Sequence, residues 1–105
     1  MKPPRRGEVF LANLDPVVGR EIRKTRPVAI VSPDEMNRFL GTVIAVPLTS
    51  TARDWPTRVA VRSGRKASFA ALDQIRVLSV ERLIRRTGSI DPVPLLAVLR
   101  EMFAE

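Results

Sequence analysis

The chain has 105 residues, 45% of them hydrophobic, with no cysteine and no histidine, and a formal charge of +7 set by 15 arginines and 3 lysines against 11 acids. That length makes one domain, able to bury roughly 65% of the surface its unfolded chain exposes. The missing residue types exclude disulfides, thiolate or imidazole metal sites, Ser-His-Asp triads and Cys-His dyads.

Genomic composition accounts for part of the arginine excess, but not for the unbalanced charge. An isoelectric point near 11.4 points to nucleic acid or an acidic protein as the partner. Catalysis, if present, falls to Arg, Thr, Ser, Asp or Glu. No apolar run approaches the roughly 20 residues that span a bilayer. The start, Met-Lys-Pro-Pro-Arg-Arg-Gly, has no apolar stretch after its basic residues and does not read as a secretory signal. A cytoplasmic, membrane-free protein is the expectation.

In chain order, Glu8 to Leu14 reads as a strand stopped by Asp15-Pro16. Val17 to Thr25 has neither helical nor strand period and reads as a mobile loop that orders on binding. Pro27 biases Arg26 toward extended backbone, and Val28 to Val31 reads as a central strand. Ser32-Pro33-Asp34-Glu35 is a helix start, with Ser32 capping, Pro33 at the first helical position and Glu35 completing a capping box. That helix ends near Phe39-Leu40-Gly41. Thr42 to Leu48 is the next strand, where Pro47 argues for an edge or for a break turning toward a site.

Thr49 to Thr57 is a polar loop holding Trp55-Pro56. Three more strands follow: Arg58 to Val61, Ser68 to Leu72 after a turn at Ser63 to Lys66, and Ile75 to Leu78. Ser79 is expected to cap a helix over Val80 to Arg86 closed by Gly88. Asp91-Pro92 opens a last helix whose stripe of Leu95, Leu96, Val98, Leu99, Met102 and Phe103 belongs mainly to the core. The sum is an α+β domain: five or six antiparallel strands curled into a small barrel, one short helix between two of them and two helices at the end.

Two apolar strands thus carry polar residues at one end. If those ends meet, Arg26 and Thr49 stand side by side, and a fixed guanidinium beside a fixed hydroxyl suits a phosphate. Plainer readings stand beside this one. Arg26 could be a solvated loop charge, and Thr49 a hydroxyl bonded to local backbone. Glu21 could pair with Arg20, Arg23 or Lys24. Asp73-Gln74 could be structural, and Arg85-Arg86 a solvated helix face. Trp55 and Phe39 could stack on unpaired bases, or Trp55 could lid the core.

Five blocks, in this order and spacing, resemble the MazF/PemK family of type II toxin–antitoxin toxins: Arg6-Gly7-Glu8-Val9, Leu14-Asp15-Pro16-Val17-Val18-Gly19-x-Glu21, Thr25-Arg26-Pro27-Val28, Val46-Pro47-Leu48-Thr49-Ser50 and Asp73-Gln74-Ile75-Arg76. The resemblance implies an SH3-like antiparallel barrel with a C-terminal helix, a homodimer, and a cofactor-free, metal-independent mRNA interferase cutting single-stranded RNA at short motifs. It implies an antitoxin whose acidic C-terminal tail occupies the RNA site.

Catalytic roles carry over to Arg26 and Thr49, with Glu21 as the acid of the first loop. RNA contact carries over to Asp73 and Gln74. Arg20, Arg23, Lys24, Ser50, Thr51, Trp55 and Arg76 complete the expected RNA-binding set. The chain departs from the family pattern at Ile22, where glutamine is usual, and at Arg23-Lys24, where a glycine is common. A stiffer, more basic loop follows. Ala71 stands where some PemK-type members place an arginine. A CcdB-like gyrase poison, which shares the fold and acts by protein contact, is the alternative; the chain lacks the tryptophan such toxins carry near the C-terminus, which favours the nuclease. A plain RNA-binding module comes third.

Overall fold

A computed structural model describes residues 2–105. It contains a single curled antiparallel sheet with a helix at each side. The strands are β1 (Glu8–Asn13), β2 (Thr25–Ile30), β3 (Thr42–Thr49), β4 (Arg58–Ser63), β5 (Lys66–Ala71), β6 (Arg76–Ser79) and β7 (Leu83–Ser89), and the helices are α1 (Asp34–Leu40) and α2 (Val93–Met102). Spatial order is β4-β5-β3-β2-β1-β7, with β6 paired separately onto β3. This is the expected α+β curled sheet, with one strand more and one helix fewer than the sequence suggested.

Side chains alternate cleanly through the three central strands, as the two-residue period of a strand requires. Val9, Ala29, Val31, Val46 and Leu48 face the concave side and pack with Leu72, Ile90, Leu95 and Leu99, so α2 plugs that side. Phe10, Ala12, Val28, Ile30, Val43 and Ala45 face the other side, with Leu14, Leu78 and Leu83. Val17 and Ile22 of the first loop pack against this second cluster. The loop is therefore seated on the core instead of hanging free.

Pro47 is fully buried in the middle of the sheet, not on an edge. β3 pairs with β6 from Thr42 to Ala45 and with β5 at Leu48 and Thr49. The proline falls where one neighbour ends and the next begins, so its missing N–H leaves no ladder bond unmade. Of the two expectations for Pro47, the break is the one realised.

The helix expected over Val80 to Arg86 does not form. Residues Val80–Arg82 make one 3-10 turn, with the Ser79 hydroxyl accepting from Glu81 N, and β7 follows. β7 pairs along β1 from Glu8↔Ser89 to Ala12↔Leu83. A helix here would have left the outer edge of β1 unpaired, and the ladder outweighs a weak helical pattern interrupted by Thr87 and Gly88.

Nor does Ser32 cap α1. Pro33 holds the cap position and no side chain bonds there. Ser32 is buried instead: its hydroxyl donates to Asn37 Oδ1 at 2.5 Å and accepts from Ile44 N at 2.9 Å. Asn37 Nδ2 in turn donates to Pro4 O at 2.9 Å and Ser32 O at 3.2 Å. This network sews the N-terminal segment and α1 onto β3. Gly41 ends α1 at φ 65°, the left-handed cap that glycine adopts without strain.

Because Asn37 is almost fully buried, Asn37→Ala strands Pro4 O and removes two of the bonds that hold Ser32, which keeps Ile44 as its partner. The expected loss is about 2 kcal/mol of unfolding free energy, read from a urea midpoint shift at constant slope.

Candidate active site

β2 and β3 pair with Val28 opposite Pro47, Ala29 opposite Val46 and Ile30 opposite Ala45. Extending that register to the strand ends puts Arg26 opposite Thr49. The two polar strand ends meet, as the sequence suggested. Arg26, however, is not a loop-end residue. It lies inside β2 and also pairs with Ala12 of β1. Thr49 pairs with Phe69 of β5. Both backbones are thus held by the sheet.

Thr49 is largely buried, and its hydroxyl oxygen accepts from Thr51 N at 3.1 Å. The local-backbone bond is present, yet it uses only the acceptor side and leaves the hydroxyl proton to donate. Arg26 Nε donates to Arg23 O at 3.3 Å. No carboxylate lies within ion-pair distance of Arg26 among the described residues. Its guanidinium is an oriented, uncompensated cation.

The pair sits on a saddle between two hollows. On the loop side, a groove of about 570 Å³ is lined by Arg20, Glu21, Arg23, Arg26, Thr49, Thr51, Arg53, Trp55 and Arg58. On the other side, a cleft of about 360 Å³ also includes Arg26 and Thr49, together with Ser50. Five guanidinium groups face the first groove and Glu21 is its single carboxylate. A polyanion suits such walls.

Glu21 makes none of the ion pairs the plainer reading offered. Its Oε1 accepts from Val18 N at 2.7 Å, which folds the tip of the first loop onto itself. The loop is tied at several other points. Lys24 N donates to Asp15 Oδ1 and Ile22 N to Gln74 Oε1. Arg76 donates to Leu14 O, and Arg82 to the carbonyls of Asn13 and Asp15. Gln74 and Arg76 are thus bonded to the base of the loop, and with Asp73 they line a smaller hollow behind it. Lys24 lines neither the groove nor the cleft, and it adopts φ 68°, a left-handed conformation that disfavours side chains.

Asp73 is fully engaged. Its carboxylate accepts from Arg58 Nε at 2.8 Å, Arg58 Nη2 at 3.1 Å and Thr57 Oγ1 at 3.0 Å. The hydrogen bonds from Arg58 hold the Asp73 carboxyl below the usual range against the opposing effect of burial, and the same bonds raise the Arg58 guanidinium. The Arg58 guanidinium also lies 4.8 Å from the Trp55 ring centre, with Arg53 at 5.9 Å. Trp55 is half exposed over this support, so the platform is built by cation–π contact and an ion pair together. Phe39, the other stacking candidate, stands exposed on α1 and lines neither the groove nor the cleft.

Sequence reading missed Arg53 and Arg58 in the groove and Lys66 and Arg85 in the cleft. Arg58 stands three residues after Trp55 at a strand start, a spacing that could have flagged it. Arg85 was hidden by the mistaken helix. Among the described residues, no cluster of three or more His, Cys, Asp or Glu could hold a metal ion.

Residues 5–102 match the model of the PemK-like, MazF-like toxins of type II toxin–antitoxin systems. The chain belongs to this family. Its curated relatives include endoribonuclease EndoA of Bacillus subtilis, 34% identical over 83% of this chain and 80% of the relative, and endoribonuclease MazF of Staphylococcus saprophyticus, 39% identical over 75% and 71%. Among solved structures, MazF of Deinococcus radiodurans superposes with a TM-score of 0.82 at 25% identity, covering 96% of this chain and 93% of that one. A mycobacterial endoribonuclease solved with its cognate antitoxin superposes at 0.78 and 28% identity, covering 93% and 92%. These matches do not favour the gyrase-poison alternative.

Within the family pattern, the structure gives the two departures physical content. Ile22 replaces a polar residue with an anchor into the core, and Lys24 occupies a backbone conformation that glycine would adopt freely. Lys24→Gly is expected to raise stability by about 1 kcal/mol, measured by urea unfolding. Because Asp73 has a depressed folded pKa, the stability its pair contributes is present above the unfolded value of about 4 and is lost as pH falls through the folded one. Asp73→Asn should therefore lower stability at neutral pH by about 1–2 kcal/mol, discounted for partial exposure, and flatten the acid limb of a stability–pH curve.

Proposed function

We propose that this chain is the toxin of a type II toxin–antitoxin module, a metal-independent endoribonuclease that cuts single-stranded RNA at short sequence motifs. The observation that carries it is the placement of Arg26 and Thr49 at the ends of adjacent strands, both lining a groove with five guanidinium groups and one carboxylate. RNA supplies its own nucleophile: the 2′-hydroxyl attacks the adjacent phosphorus, the bond to the 5′-oxygen breaks, and a 2′,3′-cyclic phosphate and a 5′-hydroxyl result. The protein must orient these groups, offset developing charge, take the 2′-hydroxyl proton and let the departing 5′-oxygen gain one, which Arg26 passes to it late and recovers from solvent.

Arg26 holds the charge on the non-bridging oxygens. A guanidinium is a poor base because it has no lone pair free to take a proton, so it serves as electrostatic stabiliser. The free proton of the Thr49 hydroxyl donates to the same phosphate. Glu21 takes the 2′-hydroxyl proton: it is the groove's single carboxylate, and its Oε2 has no hydrogen-bond partner among the described residues. Trp55, supported from below by Arg58, offers a face on which a base can stack. Arg20, Arg23, Ser50 and Thr51 contact the backbone on either side of the saddle.

The partner is an antitoxin with an acidic tail, whose carboxylates suit the same cationic groove. Support comes from the MazE–MazF assembly of D. radiodurans, at 26% identity and a TM-score of 0.75. A homodimer acting in the cytoplasm on messenger RNA completes the reading. No helix is long and apolar enough to cross a membrane among the described residues.

The test is cleavage of a long unstructured RNA in excess EDTA, with ends mapped by primer extension and checked for 5′-hydroxyls. Wild type should cut at a repeated short motif. Arg26→Ala should lose about 10³-fold and Thr49→Ala about 10²-fold, with the fold intact, since the Arg26 side chain makes one backbone bond and the strand pairing does not involve it. Equal cutting by wild type and Arg26→Ala would overturn the assignment.

A further inference from the structure

The sheet's two edges, β4 and β7, approach without forming a ladder. Gly88 of β7 faces Ser63 of β4, so closely that a Cβ on the glycine would meet the serine hydroxyl. The cleft on the far side of the Arg26–Thr49 saddle lies between these edges. Its floor is apolar (Val9, Leu11, Leu48) and its rim carries Lys66 and Arg85 with the hydroxyls of Ser63, Ser68 and Thr87. Neither Lys66 nor Arg85 has an acidic partner within ion-pair distance among the described residues. This is unlike Arg58 and Arg86, which are matched by Asp73 and Glu8.

We propose that this cleft is a second nucleotide subsite, in which Lys66 and Arg85 bind an RNA phosphate flanking the scissile one. The proposal rests on the endoribonuclease reading, because it takes the strand across the Arg26–Thr49 saddle from the loop-side groove. Three features carry it. The cleft and the groove share Arg26 and Thr49, so one chain can occupy both. Two uncompensated cations, one from the start of β5 and one from β7, line a single hollow, which suits the two non-bridging oxygens of a phosphodiester. The apolar floor beneath a hydroxyl-rich rim accepts a sugar or a base edge. Sequence-independent contact of this kind adds affinity and fixes register, while specificity is left to the loop-side groove.

The probe is an RNA oligonucleotide carrying the mapped motif, with 2′-deoxy sugar at the cleaved position so that it binds and does not react. Affinity is measured from about 50 to 200 mM salt. Each phosphate contact on a single strand adds about 0.7 to the slope of log K against log salt. Lys66→Gln/Arg85→Gln should make the slope shallower by about 1.4 and raise KM several-fold with kcat unchanged. Arg38→Gln/Arg100→Gln, which removes the same charge from exposed helix positions outside the cleft, should change the slope by less than half as much. An unchanged slope in the cleft variant, or an equal drop in the helix control, overturns the subsite while Arg26-dependent cutting leaves the nuclease reading standing. Absence of both cutting and binding by wild type overturns the nuclease reading, and the subsite with it.

Discussion

At Pro47 the central strand β3 exchanges β6 for β5 while staying paired with β2. A proline at that point forbids continuous pairing on the exchange side and releases the last residues of β3 to bend toward β5. Thr49 is carried by β3 where it pairs with β5, and Arg26 by β2 where it pairs with β1. Their juxtaposition therefore depends on backbone hydrogen bonds, which are far stiffer than any side-chain contact the two residues make. A pair of side chains set in this way tolerates variation in the loops around it, because the loops supply walls and not position.

The charge of the molecule is distributed unevenly in a way that composition alone does not reveal. Arginines that hold the fold together have acids beside them, Arg5 with Asp34, Arg58 with Asp73 and Arg86 with Glu8. Arg76 and Arg82 are committed to carbonyls at the base of the first loop. The arginines left without carboxylates include Arg26 and its neighbours on the saddle. Desolvating an unmatched cation is costly in a folded protein, and such groups persist where an anionic partner offsets the cost on binding.

Much of the fold could be read from residue pattern, and the misreadings have physical causes. Strands with β-branched runs bounded by turn residues, such as Val28 to Val31 and Thr42 to Leu48, announce themselves locally. β7 does not, since its identity as a strand is decided by the open edge of β1, far away in sequence. Ser32 looked like a cap because serine before a proline and two acids ordinarily is one. A buried asparagine one turn into α1 claims its hydroxyl instead. The strand-end logic brought Arg26 and Thr49 together, because the apolar runs beside them, one after Arg26 and one before Thr49, had to pair. The carboxylate of Asp73 and the guanidinium of Arg58 could not be paired from sequence, since only the tertiary fold brings positions fifteen residues apart into a fork. Lys66 and Arg85 were invisible for the same reason.

The near-contact between Gly88 and Ser63 sets a mechanical gauge. Where two sheet edges meet without bonding to each other, nothing in the backbone prescribes their separation. At Gly88 the smallest side chain the genetic code offers stands against the oxygen of a serine. A single methyl at that point would meet the serine hydroxyl and turn it to another rotamer, moving an oxygen on the rim of the hollow. The place of one rim hydroxyl, and the hydrogen bond it can offer to what lodges there, thus depends on one absent carbon atom.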